Sequence, residues 1–200
     1  MSVAFQDSET LKNLMRAFAG ECQARTRYDF AAGHARNEKL PVIERVFQYT
    51  AAQEYEHAGI FFRHMRAAGM GNVEICAGYP VDLQTDVLSL LRDAQHNEAE
   101  ERHIVYPDFA RTADAEGFSD VARSFGEIAK IEQTHGERFE QLANWIEAGK
   151  LFSNEGQPTR WLCLNCGNII EAPEAPAMCP VCRHEQGYYI RAEYAPFARG

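Results

Sequence analysis

The sequence predicts a mostly α-helical protein, in which a four-helix bundle is followed by a small C-terminal metal-binding domain. Three observations lead to this prediction. Four long segments between residues 8 and 148 carry apolar residues at the three- and four-residue spacing of helices. Acidic and histidine residues interrupt the apolar stripes of these segments. Four cysteines then follow in two closely spaced pairs.

The predicted helices cover residues 8–37, 41–68, 82–116 and 119–148. Ser8 is a suitable N-cap for the first helix, and Pro41 suits the first turn of the second. Pro107 lies inside the third helix and cannot donate a backbone hydrogen bond, so we expect an irregularity there. Gly149 ends the fourth helix.

The 200 residues allow one medium domain and one small domain, which we place at residues 1–150 and 157–200. The formal net charge is −9, which argues against nucleic acid or an anionic membrane surface as the main partner. No apolar run approaches the roughly 18–20 residues of a membrane span, and the first residues do not resemble a secretory signal. We therefore expect a cytoplasmic protein.

The four helical segments form an internal repeat, in which a helix with a lone glutamate precedes a helix with a Glu-x-x-His motif. The residues concerned are, in chain order, Glu21, the pair Glu54 and His57, Glu98, and the pair Glu132 and His135. Side chains three apart on a helix point in the same direction, so each pair faces the bundle interior together. The same spacing places Glu101 beside Glu98.

Five carboxylates inside one bundle repel one another and oppose folding unless cations offset them. Arg25 is the one cationic side chain that the pattern places near these faces. A pair of divalent or trivalent metal ions resolves the conflict, and oxygen with imidazole ligands suits iron, manganese or zinc. The arrangement matches the two-metal sites of ferritin-like bundles.

The C-terminal cysteines form two Cys-x-x-Cys pairs, namely Cys163 with Cys166 and Cys179 with Cys182. In a cytoplasmic chain such pairs indicate a tetrahedral metal site, because disulfides are rare in that compartment. The spacing fits structural zinc and redox-active iron about equally, and both stay open. Cys22 and Cys76 stand alone and are expected to be ordinary buried or loop thiols.

Several motifs, in the expected order, resemble the rubrerythrin family. They are AFAGECQARTRY (17–28), EYEHAGIFF (54–62), NEAEERHIVYPDFA (97–110), IEQTHGERF (131–139) and the cysteine-rich tail. The resemblance implies a ferritin-like bundle with two iron ions in a carboxylate-bridged site. It also implies a rubredoxin-like tail with one iron, or zinc in its place, bound by four cysteines.

The resemblance further implies an activity, namely a peroxidase that reduces hydrogen peroxide to water in oxidative-stress defence. Its electrons would come from a separate NAD(P)H-dependent reductase and pass through the four-cysteine centre. A homodimer with electron transfer between chains is also implied. The alternative is a ferritin-like iron-oxidising or iron-storage protein with a structural zinc tail.

Each site residue receives a role from the resemblance. The bridging ligands would be Glu54 and Glu98, one iron would take Glu21, Glu101 and His57, and the other would take Glu132 and His135. His57 would exchange with Glu101 as a ligand. Tyr28 and Tyr106 would line the site and donate hydrogen bonds to peroxide, with plain core packing as the alternative. Arg183 stands where the family often has glycine after the second cysteine pair.

Overall fold

A computed structural model describes residues 3–195, which form five helices and a small sheet. The helices are α1 (Glu9–Asn37), α2 (Pro41–Ala67), α3 (Val87–Glu100), α4 (Tyr106–Glu116) and α5 (Ser119–Glu147). The strands are β1 (Thr159–Cys163), β2 (Ile169–Ala172) and β3 (Tyr189–Arg191). Residues 1–2 and 196–200 of the two expected domains lie outside the described residues, and the domain boundary stays a prediction.

The predicted starts of the first two helices are confirmed. The Ser8 hydroxyl accepts a hydrogen bond of 3.1 Å from the backbone N–H of Leu11, so Ser8 is the N-cap of α1. Pro41 lies in the first turn of α2, where a missing N–H has no consequence. The two helices then pack against each other along most of their length.

The third helix begins later than predicted, at Val87 rather than near Asp82. The side chain of Asp86 accepts a hydrogen bond of 2.9 Å from the N–H of Ser89 and thereby caps α3. Asp82 instead forms an ion pair of 3.1 Å with the buried Arg27 of α1. The carboxylate at residue 82 thus ties the long α2–α3 connection to α1 and does not start a helix.

The irregularity expected near Pro107 is confirmed, and it takes the form of a π-helical segment at Glu101–Val105 between α3 and α4. The N–H of Tyr106 donates to the carbonyl of Glu101, five residues earlier, which is the bond of a π-helix. Pro107 follows in the first turn of α4, where its missing donor is tolerated. Glu101 is therefore the first residue of the π segment.

The apolar core of the bundle consists of two separate clusters. One contains Phe47 and Phe139, whose ring centroids lie 5.2 Å apart, and the other contains Phe61 and Phe125 at 5.1 Å. The acidic and histidine residues of the repeat lie between the two clusters. Within residues 3–195, none of the helices is both long and apolar enough to cross a membrane.

The C-terminal domain is a three-stranded antiparallel sheet in the order β2-β1-β3. Its buried core contains five residues: Trp161, Cys163, Ala175, Cys179 and Tyr189. Two of these five are cysteines, so the sulfur atoms make up much of the interior. Such a small core needs a metal ion to hold it together.

This small domain packs against the end of the bundle where α1 meets α2. The Arg45 guanidinium of α2 donates to the carbonyl of Leu164, next to Cys163. Gly187 approaches so closely that a Cβ there would lie 2.6 Å from the carbonyl oxygen of Lys39. Arg191 stacks on Trp145 of α5, with its guanidinium carbon 4.1 Å from the ring centroid. These contacts fix the domain on its own bundle.

One long-range contact at the opposite end yields a test of the fold. Glu116, at the end of α4, accepts bonds from the N–H groups of Glu9 (3.0 Å) and Thr10 (2.8 Å). Partial burial opposes ionisation, but these bonds and the Thr10 hydroxyl lower the pKa of Glu116. Glu116→Ala should cost about 1–2 kcal/mol in the free energy of unfolding, as lost helix caps do.

Because the pKa of Glu116 is lowered by folding, its contribution is present above the unfolded value of about 4.3 and is lost as pH falls through the folded pKa. The difference between wild type and Glu116→Ala, measured by urea unfolding, should therefore shrink below about pH 4. Glu127→Ala is the control, since Glu127 is exposed and, among the residues described, pairs with Lys130 alone. An equal loss in both variants would contradict the capping role.

Candidate metal centres

The first cluster surrounds the imidazole of His57, which α2 buries between the helices. Its Nδ1 atom lies 3.0 Å from Glu54 Oε2 and 3.0 Å from Glu132 Oε1. Glu21 Oε2 is slightly further away, at 3.7 Å. Three helices therefore direct carboxylate oxygens at one ring nitrogen. The four side chains place their ligand atoms within 4.8 Å of one another.

The second cluster repeats this geometry around His135 of α5. Its Nδ1 atom lies 2.9 Å from Glu54 Oε1, 2.9 Å from Glu132 Oε2 and 3.7 Å from Glu98 Oε2. The two imidazoles are nearly parallel, with centroids 5.6 Å apart. Glu54 and Glu132 each contribute one oxygen to each cluster. The carboxylates that span both clusters are thus those of the two Glu-x-x-His motifs.

The bridging assignment taken from the resemblance, Glu54 with Glu98, stays a prediction, and the positions of the side chains favour a different pair. Glu98 belongs to the His135 cluster alone, whereas Glu132 belongs to both. The reason is the position of each residue on its helix. Glu132 and His135 lie one turn apart on α5, and Glu132 can extend between the imidazoles. Glu98 approaches from α3 at one side of the His135 cluster, as Glu21 does from α1 at the His57 cluster.

The side chains of the two clusters are better suited to binding metal ions than to hydrogen bonding with one another. All six residues are at most 4% exposed. Despite these short distances, the following buried atoms have no hydrogen-bond partner of suitable geometry among the described residues: Glu21 Oε2, Glu54 Oε1, Glu98 Oε2, both carboxylate oxygens of Glu132 and both ring nitrogens of His135. Buried polar atoms are nearly always satisfied, so this many unpaired lone pairs in one layer indicate cations. Carboxylate oxygens and imidazole nitrogens are the donors that iron and manganese take.

The six residues of the two clusters form one buried layer of the bundle. Without metal, their charges strongly shift one another's pKa values. Burial, together with the charge of Glu54, raises the pKa of Glu98 to about 8. Burial also raises the pKa of Glu21. Burial would raise the pKa of Glu54 as well, but its contacts with the two imidazoles outweigh this and lower it to about 2.

The two imidazoles also respond to the carboxylates around them. Burial opposes the charged form of His57, but the carboxylates of Glu132, Glu21 and Glu54 raise its pKa well above the usual range. The pKa of His135 is raised in the same way by the carboxylates of Glu132, Glu54 and Glu98. Without metal, Glu98, His57 and His135 must therefore bind protons, which supply the positive charge that metal ions would otherwise provide.

Tyr28 and Tyr106 are buried and hydrogen-bonded to the outer carboxylates. The Tyr28 hydroxyl donates to Glu98, and the Tyr106 hydroxyl donates to Glu21 Oε1 at 2.5 Å. Each hydroxyl has one proton, and both protons are engaged by ligand carboxylates. Direct donation to peroxide, which the resemblance implied, stays a prediction. The two tyrosines position Glu98 and Glu21.

Glu101 lies near the clusters but belongs to neither of them. Burial, followed by the charges of Glu21 and Glu98, raises the pKa of its carboxyl well above the usual range. Glu101 and Tyr106 line a cavity of about 590 Å³, whose outer wall is the segment from Cys76 to Pro80 in the α2–α3 connection. The cavity therefore extends from the surface to Tyr106, whose hydroxyl contacts Glu21.

One neighbouring cation was missed in the sequence. Arg138 of α5 donates to the buried Thr50 hydroxyl at 2.9 Å and to Gln53 Oε1 at 3.3 Å, directly beside Glu54. Its position three residues after His135 was the available signal. Arg25, the cation that the pattern suggested, is exposed and lies over the ring of Tyr55.

The four C-terminal cysteines form the second candidate centre. The sulfurs of Cys163 and Cys182 lie 3.7 Å apart, as do those of Cys166 and Cys179. A tetrahedron with metal–sulfur bonds of about 2.3 Å has edges of roughly 3.8 Å, so the spacing already fits a bound ion. All four sulfurs lie within 4.8 Å of one another.

Two equivalent turns hold these sulfurs. Gly167 and Arg183 follow the two cysteine pairs, have φ angles of 77° and 63°, and donate their N–H groups to the carbonyls of Cys163 and Cys179. Arg183 thus adopts a left-handed conformation that glycine adopts more easily. Of the two remaining thiols, Cys76 lies in the α2–α3 connection as expected, whereas Cys22 is exposed on α1.

Fold and sites together define a class of protein: a four-helix bundle that binds two metal ions through carboxylates and histidines, joined to a four-cysteine domain. Comparison with known proteins specifies the class further. Residues 12–143 match the family model described as rubrerythrin, and residues 161–190 match the rubrerythrin rubredoxin-like domain.

The chain is similar to known proteins over nearly its whole length. Rubrerythrin of Clostridium perfringens is 46% identical over 93% of this chain and 95% of its own length. Rubrerythrin of Nitratidesulfovibrio vulgaris is 38% identical over 93% of this chain and 95% of its own length. The structure of fully reduced, all-ferrous nigerythrin superposes with a TM-score of 0.62 at 29% identity, over 96% of this chain and 88% of that one. A Desulfovibrio desulfuricans bacterioferritin shares the fold. Its structure superposes with a TM-score of 0.64 at 20% identity, over 71% of this chain and 82% of that one.

The chain belongs to the rubrerythrin family. It has a di-iron carboxylate site in a ferritin-like bundle and a four-cysteine site in a rubredoxin-like domain. Family membership supports an iron protein of oxidative-stress defence with oxidoreductase activity.

The shifted pKa values of the layer predict how metal-free protein responds to pH. Folding raises the pKa values of Glu98, His57 and His135, so the folded state holds protons that the unfolded chain has released. The stability that these protons confer is complete below the unfolded pKa values, about 4.3 for Glu and 6.5 for His, and declines as pH rises toward the folded values.

The melting temperature of chelator-treated protein should therefore fall between about pH 6 and pH 8.5. Metal-loaded protein should not show this fall, because metal binding requires deprotonated ligands. Thermal unfolding of both forms across this range checks the prediction. A metal-free protein whose stability rises with pH would contradict the charge assignment.

Proposed function

We propose that the protein is a non-haem di-iron peroxidase that reduces hydrogen peroxide to water, with electrons supplied through the four-cysteine centre. The observation that carries this proposal is the second metal centre attached to the bundle. A storage protein needs no dedicated one-electron carrier on the same chain, whereas a peroxidase must be reduced again after every turnover. The four-sulfur geometry and its fixed position on the bundle end meet that need.

The reaction takes up two electrons and two protons per peroxide and yields two waters. When bound, the two irons supply the electrons and the Lewis acidity for cleavage of the O–O bond. The chain would hold them through Glu54 and Glu132, whose oxygens face both clusters. Tyr28 and Tyr106 fix the outer carboxylates, and the apolar clusters on either side keep water from the layer.

Glu101 is the residue best placed to act on the oxidant. It lines the cavity, and burial, followed by the charges of Glu21 and Glu98, raises the pKa of its carboxyl and so favours its protonated form. A proton is thus available where a small molecule arrives from the surface. Its role as an iron ligand that exchanges with His57 stays a prediction, since its carboxyl lies outside both clusters.

Three further elements of the proposal come from the family. We expect a cytoplasmic homodimer, in which the four-cysteine centre of one chain also serves the di-iron site of the other. We expect a separate NAD(P)H-dependent reductase as the electron source. Hydrogen peroxide is the proposed substrate, and the acidic surface of the chain, with net charge −9, agrees with a partner other than nucleic acid.

Stopped-flow mixing distinguishes the peroxidase from an iron-oxidising or storage protein. Anaerobically reduced protein should be reoxidised by hydrogen peroxide at least tenfold faster than by an equal concentration of oxygen, because the proposed site is built for O–O cleavage of peroxide. Iron oxidation is followed by the visible absorbance of both centres. Faster reoxidation by oxygen, or a colourless tail that contains zinc, would favour the storage alternative.

Glu101→Ala should slow peroxide-driven reoxidation on the order of 10²-fold, the usual contribution of a positioned proton donor. Iron content should stay near the wild-type value, because both clusters keep their ligands. Glu100→Ala is the matched control, since this neighbouring glutamate lines the same cavity but is exposed. Unchanged turnover in Glu101→Ala would remove Glu101 from the mechanism.

A further inference from the structure

The rubredoxin-like domain contains a hydroxyl group that its fold does not use. Tyr189 is fully buried in the small core, and its backbone pairs with Cys163 across the antiparallel strands β3 and β1. Its hydroxyl has no hydrogen-bond partner of ordinary geometry among residues 3–195. A buried hydroxyl without a partner destabilises the folded state, and phenylalanine would fill the same space without that cost. The hydroxyl therefore calls for another explanation.

Tyr189 shares the small buried core with Cys179, and its hydroxyl lies beside the sulfur of Cys179 and the side chain of Asn168. The Asn168 amide also points toward that sulfur, at 3.9 Å. Cys179 is buried, so water does not compete for its lone pairs. The hydroxyl is thus aimed at a ligand atom of the metal centre.

A hydrogen bond to a metal-bound sulfur has a different strength in the two oxidation states. Reduction adds one negative charge to the iron–sulfur unit, and the sulfurs become better acceptors. A donor in contact with a sulfur therefore stabilises the reduced form more than the oxidised form and raises the reduction potential. Burial strengthens the effect, because the local dielectric constant is low.

We propose that the Tyr189 hydroxyl donates a hydrogen bond to Cys179 Sγ in the iron-loaded centre and thereby raises its reduction potential. Tyr189 is a positioning and tuning residue here, since it acts on the electron through a ligand. The inference rests on the proposed function for its biological meaning, because a higher potential favours uptake of electrons from a reductase. The potential itself can be measured whether or not the bundle reduces peroxide.

The test is the reduction potential of the four-cysteine iron in wild type, Tyr189→Phe and Tyr188→Phe, measured in the full-length protein by spectroelectrochemistry. Tyr188→Phe is the matched control, because the neighbouring ring packs against His184, with centroids 4.6 Å apart, and lies near Arg45. Tyr189→Phe should make reduction about tenfold less favourable, a fall of about 59 mV for one electron. Tyr188→Phe should leave the potential near the wild-type value.

A second measurement examines the hydrogen bond directly. The iron–sulfur stretching frequencies should shift between H₂O and D₂O in wild type, and the part of this shift due to the hydroxyl should disappear in Tyr189→Phe. An unchanged potential in Tyr189→Phe, or an equal fall in both variants, would overturn the proposal. A fall in potential with an unchanged deuterium shift would overturn it too, since the cause would then be altered packing. If the protein proved not to reduce peroxide, the reduction potentials and the deuterium shifts would still test the hydrogen bond.

Discussion

The structure depends on one constraint, which is that several carboxylates are buried in a single layer of the bundle. Carboxylates without counter-charge cannot remain ionised in such a layer, so cations have to enter it. The apolar core is divided into two clusters because the layer occupies the middle of every long helix. Tyr28 and Tyr106 are buried for the same reason, since the outer carboxylates need donors that do not bring in water. Bundle, layer and metal ions are therefore one cooperative unit.

The repeat explains both the symmetry of the site and its one departure from symmetry. Tyr28 precedes Glu54 by 26 residues, and Tyr106 precedes Glu132 by 26 residues as well. Tyr28 follows Glu21 by seven residues, whereas Tyr106 follows Glu98 by eight. The extra residue falls where the π segment lies, and a π turn accommodates one additional residue without displacing its neighbours. The insertion keeps Tyr106 directed at Glu21 and gives Glu101 its place beside the cavity.

The sequence was sufficient for the fold, the two cysteine pairs and the six residues of the clusters, because each followed from helical spacing or from a paired motif. It was not sufficient for the bridging roles. Whether Glu98 or Glu132 spans both clusters depends on how far each helix lies from the midline, which periodicity does not report. The start of α3 was misplaced because Asp82 and Asp86 are equally good caps by residue type. The ion pair between Asp82 and Arg27, 55 residues apart, decides between them.

The position of the four-cysteine domain follows from backbone contact more than from the linker that precedes it. Gly187 touches the turn between α1 and α2, and a larger residue there would push the domain away from the bundle. Arg45 joins the first cysteine turn to α2 at a point nine residues before Glu54, which is roughly 14 Å along a helix. The same helix therefore carries the contact to one metal centre and two ligands of the other. Any change that tilts α2 therefore alters the separation of the two centres.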